Sequence, residues 1–490
     1  MHVHLIAVAG TGMGSLAGLL KAAGHQVSGS DVAFYPPMGP ALKRWGIELM
    51  EGFDPKHLDQ PRPDLVVVGN VCRPDNVEAR AAIDGGLKVT SIVGALRDHI
   101  LTGTAPLVVG GTHGKTTTSA MCAWLLDQSD AEPGFLIGGL PHDFEQSFRL
   151  PATQGTTPTG PNGPAPGPMG RRPPFVIEGD EYDTAFFEKT PKFWHYRPEV
   201  AIITSIEHDH IDIYPDEASY RAAFVGFIER VPADGLIVAH GADPLVVELV
   251  SNHAIAPIAW YGLEGDDWHG MSPHWLAAPA GTDGPEQAFD VFVEGSQVGR
   301  ATLPLTGDHN LRNALAACAA TSQGFGVPAR QALAALGTFG GVARRQDLLA
   351  EVGGVRIIDD FAHHPTAVRE TLRGLRARYP EGALWAVYEP RSATACRSLH
   401  QQAYLEAFNA ADRVVFPPLG RDNIPEVERL DLEALAEGLA EQGVRTDRAE
   451  SIDAIIALLS EQTRPGDTVV LLSNGAFGGI GVKLPKALAQ

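Results

Sequence analysis

The 490 residues suffice for roughly three domains of about 150 residues, each large enough to bury its own core. A formal net charge of −21 argues against a nucleic-acid partner, and no apolar run nears the about 20 residues of a membrane span. Four separated cysteines without a CxxC pair, and an N-terminus with no basic leader, lead to the expectation of a cytoplasmic protein with buried free thiols.

The opening segment, about residues 1–103, reads as a βαβ unit. A strand over 2–9 meets Gly10-Thr-Gly-Met-Gly14, followed by an apolar helix over 15–23 closed by Gly24. A second strand ends at Asp31, where dinucleotide-binding folds place an acidic residue. The third glycine comes one residue early for the dinucleotide fingerprint. The loop alone therefore fits either a nucleotide-diphosphate site or a tight turn of any parallel α/β domain. A later strand over 64–69 suits a doubly wound sheet.

The second segment, about residues 104–327, starts with a strand, a glycine turn and a helix in the order Leu107-Val-Val-Gly-Gly-Thr-His-Gly-Lys-Thr-Thr-Thr118. A polyphosphate needs that order. Glycines let backbone N–H groups approach, a lysine spans the β and γ phosphates, and the Thr116 hydroxyl can hold Mg²⁺ at a helix N-terminus. The strict pattern asks for glycine at Val109, so this is a variant; a plain turn with a solvent-facing lysine is the alternative. Residues 151–174 carry eight prolines and five glycines and are expected to form a mobile surface loop. Buried strands are expected over 174–177, 200–204 and 235–239, and an antiparallel hairpin over 289–303.

The third segment, about residues 328–490, alternates strands (355–358, 384–388, 413–416, 468–472) with helices such as 366–379 and 432–442. Another open parallel sheet is the natural solution.

Polar residues gather where the central strands end, which is where open parallel sheets bind ligands. One strand runs into Glu178-Gly-Asp-Glu-Tyr-Asp183, the other into Ser205-Ile-Glu-His-Asp-His-Ile-Asp212. Two acidic clusters beside a P-loop suit Mg²⁺ held by oxygens, with one histidine as a nitrogen ligand. Solvated acidic loops are the alternative.

With Gly307-Asp-His-Asn-Leu-Arg-Asn313, Arg344-Arg345 and Asp359-Asp-Phe-Ala-His-His-Pro365 added, the chain resembles the ATP-dependent Mur ligases of bacterial cell-wall synthesis over essentially its whole length. The resemblance implies an α/β protein of three domains. These are a Rossmann-like N-terminal domain for a UDP-sugar, a central P-loop ATPase domain, and a Rossmann-like C-terminal domain for an amine. It implies a reaction in which a carboxylate attacks the γ-phosphate of ATP and an amine then displaces phosphate from the acyl phosphate.

The resemblance also implies residue roles. Lys115, Glu178, His210 and Arg345 would be catalytic. Gly111, Thr112, His113, Gly114, Lys115, Thr116, Thr117, Asn310, Asn313, Arg344, Arg345 and Asp360 would bind ATP. Thr116, Glu178 and His210 would hold Mg²⁺, and Gly10, Thr11, Gly12, Met13, Gly14 and Asp31 the UDP-sugar. Read from residues alone, the arginine pair is better taken as an ordinary surface charge pair.

Several members of the family carry a CO₂-modified lysine downstream of the metal histidine; here the region 214–227 has Phe224 and no lysine. That resembles the branch accepting free UDP-N-acetylmuramate. Its members add either L-alanine or the recovered tripeptide L-alanyl-γ-D-glutamyl-meso-diaminopimelate. Tyr35-Pro-Pro-Met38, Glu132-Pro-Gly-Phe-Leu-Ile-Gly-Gly139, Glu389-Pro-Arg-Ser392 and Ser473-Asn-Gly-Ala-Phe-Gly-Gly479 look like the tripeptide-adding kind. His363, Arg391, Ser473 and Asn474 would then face the amine, unless Arg391 only pairs with Glu389. A Rossmann dehydrogenase would leave the P-loop unused, and a P-loop regulatory NTPase would leave two domains unused.

Overall fold

The computed structural model describes all residues except 60, 153–171, 212, 269, 284–285, 422 and 490. Most of the expected mobile loop at 151–174 therefore lies outside the described residues; its last residue, Pro174, begins a strand.

Among the described residues three large sheets follow one another along the chain, besides a two-stranded antiparallel ribbon of Asp183–Ala185 with Glu188–Pro191. The first is wholly parallel, in the order Glu48–Glu51, Gln26–Asp31, His2–Ile6, Leu65–Val68 and Val89–Ser91. Its strand Leu65–Val68 is a continuous apolar run and His2–Ile6 is buried along its whole length, as fits a parallel sheet covered on both faces.

Among the described residues the central sheet has ten strands. Ala105–Gly110 lies between Val200–Ile203 and Pro174–Glu178, all parallel, so the three loops leaving their C-terminal ends converge on one edge. The hairpin Glu286–Val293 and Ser296–Leu303 joins through Trp275–Asp283 as an antiparallel extension. The third sheet runs Asp347–Val352, Val355–Asp360, Thr468–Leu472, Leu384–Tyr388, Arg413–Phe416 and Arg445–Arg448. It is parallel except for its first strand, Asp347–Val352, an exposed antiparallel edge that hydropathy does not reveal.

The first two units share a core. Phe148, on the last edge strand of the central sheet, packs edge-on against Trp45 of the first unit at 4.9 Å, in one continuous apolar cluster.

A fully buried polar chain lies under the first sheet. His2 Nε2 is 2.8 Å from Ser28 Oγ, which is 2.8 Å from His4 Nδ1; His4 Nε2 is 2.6 Å from Glu78 Oε1. His4 and Glu78 are both 0% exposed, and His57 approaches the other Glu78 oxygen at 3.3 Å. Alternation along His2–Ile6 puts both histidines on one face, and Glu78 comes from the first turn of Val77–Asp84.

The first glycine loop departs from expectation. The helix begins at Thr11, not residue 15, with Gly10 as its N-cap. Met13 is buried in the core, the Gly14 N–H is spent on Gly10 O at 2.8 Å, and Met38 fills the space beside Gly14. Of the five loop residues assigned to a UDP-sugar, only Gly10, Thr11 and Gly12 are exposed. Asp31 accepts from the N–H groups of Ala9 and Val32, tying together the ends of two strands.

Candidate active site

The glycine turn after Ala105–Gly110 sets the site. Gly111 and Gly114 have φ of +137° and +80°. Side chains there would also collide: a Cβ would lie 2.0 Å from Thr204 Oγ1 and 2.4 Å from Asn313 Oδ1, respectively. The turn delivers Lys115 and Thr116 to the first turn of the helix Lys115–Asp127.

Lys115 Nζ donates to Gly111 O at 2.6 Å and pairs with Glu181 at 3.0 Å. Glu181 is 0% exposed and its second cation is His210, at 3.1 Å. Burial opposes the charge on both members of the lysine pair, yet their mutual attraction prevails. Lys115 is held above its ordinary range and Glu181 is held down at about 2, with His210 raised in turn by Glu181. Thr116 Oγ1 donates to Glu178 at 2.7 Å, and Glu178 accepts from the Gly138 N–H at 2.7 Å.

The third unit reaches this cluster. Arg345 donates to Thr116 Oγ1 at 3.0 Å and lies over the Phe361 ring at 4.8 Å. A cavity of about 120 Å³ is lined by Thr112, His113, Gly114, Lys115, Thr116, Glu178, His210, Arg345 and His363 together with Asp180, Tyr182 and Asp209. Beside it opens a larger cavity, about 510 Å³, lined by His113, Gly114, Thr117, Asn310, Asn313, Arg345 and Asp360. Nearly all the nucleotide-side expectations thus meet in two adjoining spaces.

Some do not. Arg344 turns away from both cavities, pairing with Asp359 at 3.2 Å and donating to the Ser473 carbonyl. Its neighbour Arg345 points the other way because the backbone at Arg344 is left-handed, with φ +64°. Asp360 lines the larger cavity but accepts from the Ala362 and Gln346 N–H groups, both at 2.8 Å, and so orders its own loop.

On the amine side, Arg391 is half-exposed, 3.7 Å from Glu389. The ion pair weighed as the alternative reading therefore exists, though the guanidinium keeps free surface. Ser473 is buried and bonded to Glu389, and Asn474 carries a buried oxygen without a partner among the described residues. His363 stands apart from these, in the smaller cavity, with burial pushing it down to about 4.

Sequence reasoning missed Glu181, Asp180 and Glu207 as individual residues. All stand in the two acidic clusters, but a loop has no periodicity to show which member turns inward.

The residues present fit a hard divalent cation. Burial, and then the neighbouring Asp180, push the Glu178 carboxyl upward, a penalty on its charged form that a bound cation would offset. Thr116 and Glu178 offer oxygens at one point. His210 is turned onto Glu181 here and favours the charged form, so it would need to deprotonate and turn to become a ligand. Glu178→Gln is expected to raise the Mg²⁺ concentration for half-maximal activity about tenfold or more and to slow turnover. An unchanged Mg²⁺ titration would refute this.

Three family matches cover most of the chain: the Mur ligase family catalytic domain at residues 2–102, the Mur ligase middle domain at 109–321, and the Mur ligase glutamate ligase domain at 344–475. The chain is also 36% identical over 491 residues to the UDP-N-acetylmuramate–L-alanyl-γ-D-glutamyl-meso-2,6-diaminoheptandioate ligase of Escherichia coli (strain K12), covering 100% of this chain and 99% of that one. The chain belongs to the Mur ligase family. This Mur ligase is also 35% identical over 506 residues to a UDP-N-acetylmuramate–L-alanine ligase of Roseiflexus sp. (strain RS-1), covering 100% of both chains. Among solved structures, it superposes on a murein peptide ligase of Psychrobacter arcticus 273-4 with a TM-score of 0.71 and 34% identity, covering 100% and 99% of the two chains. No described helix of this Mur ligase is long and apolar enough to cross a membrane.

Proposed function

We propose that this Mur ligase joins UDP-N-acetylmuramate to L-alanyl-γ-D-glutamyl-meso-diaminopimelate at the expense of ATP, through an acyl phosphate. The observation that carries this reading is the convergence of Lys115, Thr116 and Glu178 with Arg345 and His363 of a separate unit around one cavity. Full-length similarity to ligases named for these substrates supports it.

The muramate carboxylate forms a bond to the γ-phosphorus while the bond to the β-bridging oxygen breaks and ADP leaves. The peptide amine then bonds to the acyl carbon, the C–O bond to phosphate breaks, and the amine loses a proton. Lys115 and Arg345 supply fixed positive charge from opposite units where charge develops on the transferring group. Mg²⁺, held by Thr116, Glu178 and a turned His210, would neutralise phosphate oxygens. Packing of the third unit over the cavity shields the acyl phosphate from water.

The amine is the tripeptide on this reading because Arg391 offers a planar guanidinium at the surface of the third unit, suited to the further carboxylates that an acidic tripeptide carries and L-alanine lacks. The similarity to an L-alanine ligase favours the second reading, addition of L-alanine. ADP release is expected to require UDP-N-acetylmuramate and an amine together, with a higher kcat/KM for the tripeptide than for L-alanine. The opposite ranking would reject the tripeptide assignment. Arg391→Ala should raise KM for the tripeptide about 10- to 100-fold, the loss of a charge-assisted contact of roughly 1.5–3 kcal/mol, while ATP binding survives. An unaltered KM would return Arg391 to a simple partner of Glu389.

A further inference from the structure

Beside the phosphate-binding turn, three side chains bring one donor atom each to a common point; His113 and His364 also line the smaller cavity, but none of the three has a step in the reaction above. His113 belongs to the turn, Glu207 follows the strand Val200–Ile203, and His364 caps the helix Pro365–Arg378 of the third unit. Their donor atoms all lie within 4.8 Å of one another, the one such three-residue group among the described residues. His113 Nε2 is 2.7 Å from Glu207 Oε2, and that oxygen is 3.7 Å from His364 Nδ1. The two imidazoles lie 4.9 Å apart. His364 is only 5% exposed, and its Nε2 has no hydrogen-bond partner among the described residues.

Two of the three groups stand in ligating form; His113 Nε2, which donates to Glu207, would give up its proton on binding the ion. Burial, and then His113, push His364 down to about 3, so its imidazole is neutral, with the Nδ1 lone pair shared only with the Thr366 N–H at a long 3.4 Å. Glu207 is held down at about 2 despite burial, chiefly by its bond to His113, and is ionised. Two imidazoles and a carboxylate are a donor set of three-ligand zinc sites, which leave a fourth position for water or ligand. Tetrahedral ligands about 2.0–2.1 Å from zinc stand about 3.3 Å apart, between the 2.7 and 3.7 Å separations of Glu207 from the two histidines. Mg²⁺ prefers octahedral oxygen and is poorly served by two imidazoles.

We propose that His113, Glu207 and His364 bind one borderline divalent cation of the zinc class, which ties the third unit to the phosphate-binding turn. The ion bridges two units because His113 and Glu207 belong to the central one and His364 to the third. Thr366 Oγ1 already donates to Glu207 Oε1 across the same seam at 2.8 Å. A metal bond there would hold the crevice shut and oppose the opening that substrate exchange requires.

The test uses the full chain without nucleotide, titrated with Co²⁺ as a coloured probe and then with Zn²⁺. One equivalent of Co²⁺ should give visible ligand-field bands that Zn²⁺ abolishes and millimolar Mg²⁺ does not. Glu207→Gln, a partly exposed and structurally mild change, and His364→Ala should each weaken Co²⁺ binding at least tenfold. Small-angle scattering should show compaction by Zn²⁺ in the unaltered protein and none in Glu207→Gln. The proposal falls if the unaltered protein gives no bands, if Glu207→Gln retains full Co²⁺ affinity, or if His210→Ala removes the bands while Glu207→Gln keeps them. Unchanged scattering on Zn²⁺ binding would overturn the bridging role.

Discussion

Lys115→Ala is expected to lower turnover on the order of 10³-fold while leaving UDP-N-acetylmuramate binding nearly unchanged. Removing one preorganised group that meets developing charge typically costs about 10²–10³ in rate, and a full charge at a transferring phosphoryl group should sit at the upper end. The lysine is almost wholly buried and aimed by Gly111 O and Glu181, so no neighbour can replace it. The variant also leaves the buried Glu181 carboxylate with His210 as its remaining ion-pair partner. That strands negative charge and should reduce stability as well. Lys115→Met combined with Glu181→Gln separates the two effects, because it should regain the unfolding midpoint but not the activity. Near-normal ADP release by Lys115→Ala, measured with both co-substrates present, would remove the P-loop from the mechanism.

Glu78→Ala should produce the largest loss of stability, about 3–5 kcal/mol. Glu78 is fully buried and terminates the chain His2–Ser28–His4, with His57 on its other oxygen. Its loss leaves the His4 Nε2–H unpaired in the core, opens a cavity, and breaks a buried hydrogen-bonded chain at its acidic end. For a unit of about 100 residues this corresponds to a drop of ten degrees or more in its unfolding midpoint. The transition to follow is that of the N-terminal unit within the full chain, since three units need not unfold together. A midpoint within one degree of the unaltered protein would show that the network carries no such weight. Glu78→Gln, which keeps an acceptor for His4, should lose less.

Much of the fold was legible because apolar runs bounded by glycine report buried parallel strands directly. The P-loop was legible for the same reason: strand, glycines, lysine and helix are local in sequence, and their geometry follows from backbone constraints. The Phe289 to Leu303 hairpin was legible through its alternation and its Glu294-Gly295 turn. The first glycine loop was misjudged because Gly12 and Gly14 read as loop residues. They sit within the first turn of the helix, and Met38, distant in sequence, occupies the space a side chain at Gly14 would need.

What the sequence determined by itself was local: the strands, the phosphate-binding turn, and the two acidic clusters at strand ends. Which acid turns inward is a tertiary matter. Glu181 is chosen because Lys115, heading a helix, and His210, on the loop after another strand, arrive to offset its burial. The divergence of Arg344 and Arg345 likewise depends on a left-handed residue and on Asp359 and Ser473 waiting on one side, Thr116 on the other. Glu207 could not be singled out because its partners, His113 and His364, lie 94 and 157 positions away along the chain. Electrostatic pairing across such separations leaves no periodic trace in a sequence; it exists only once the sheets bring their edges together.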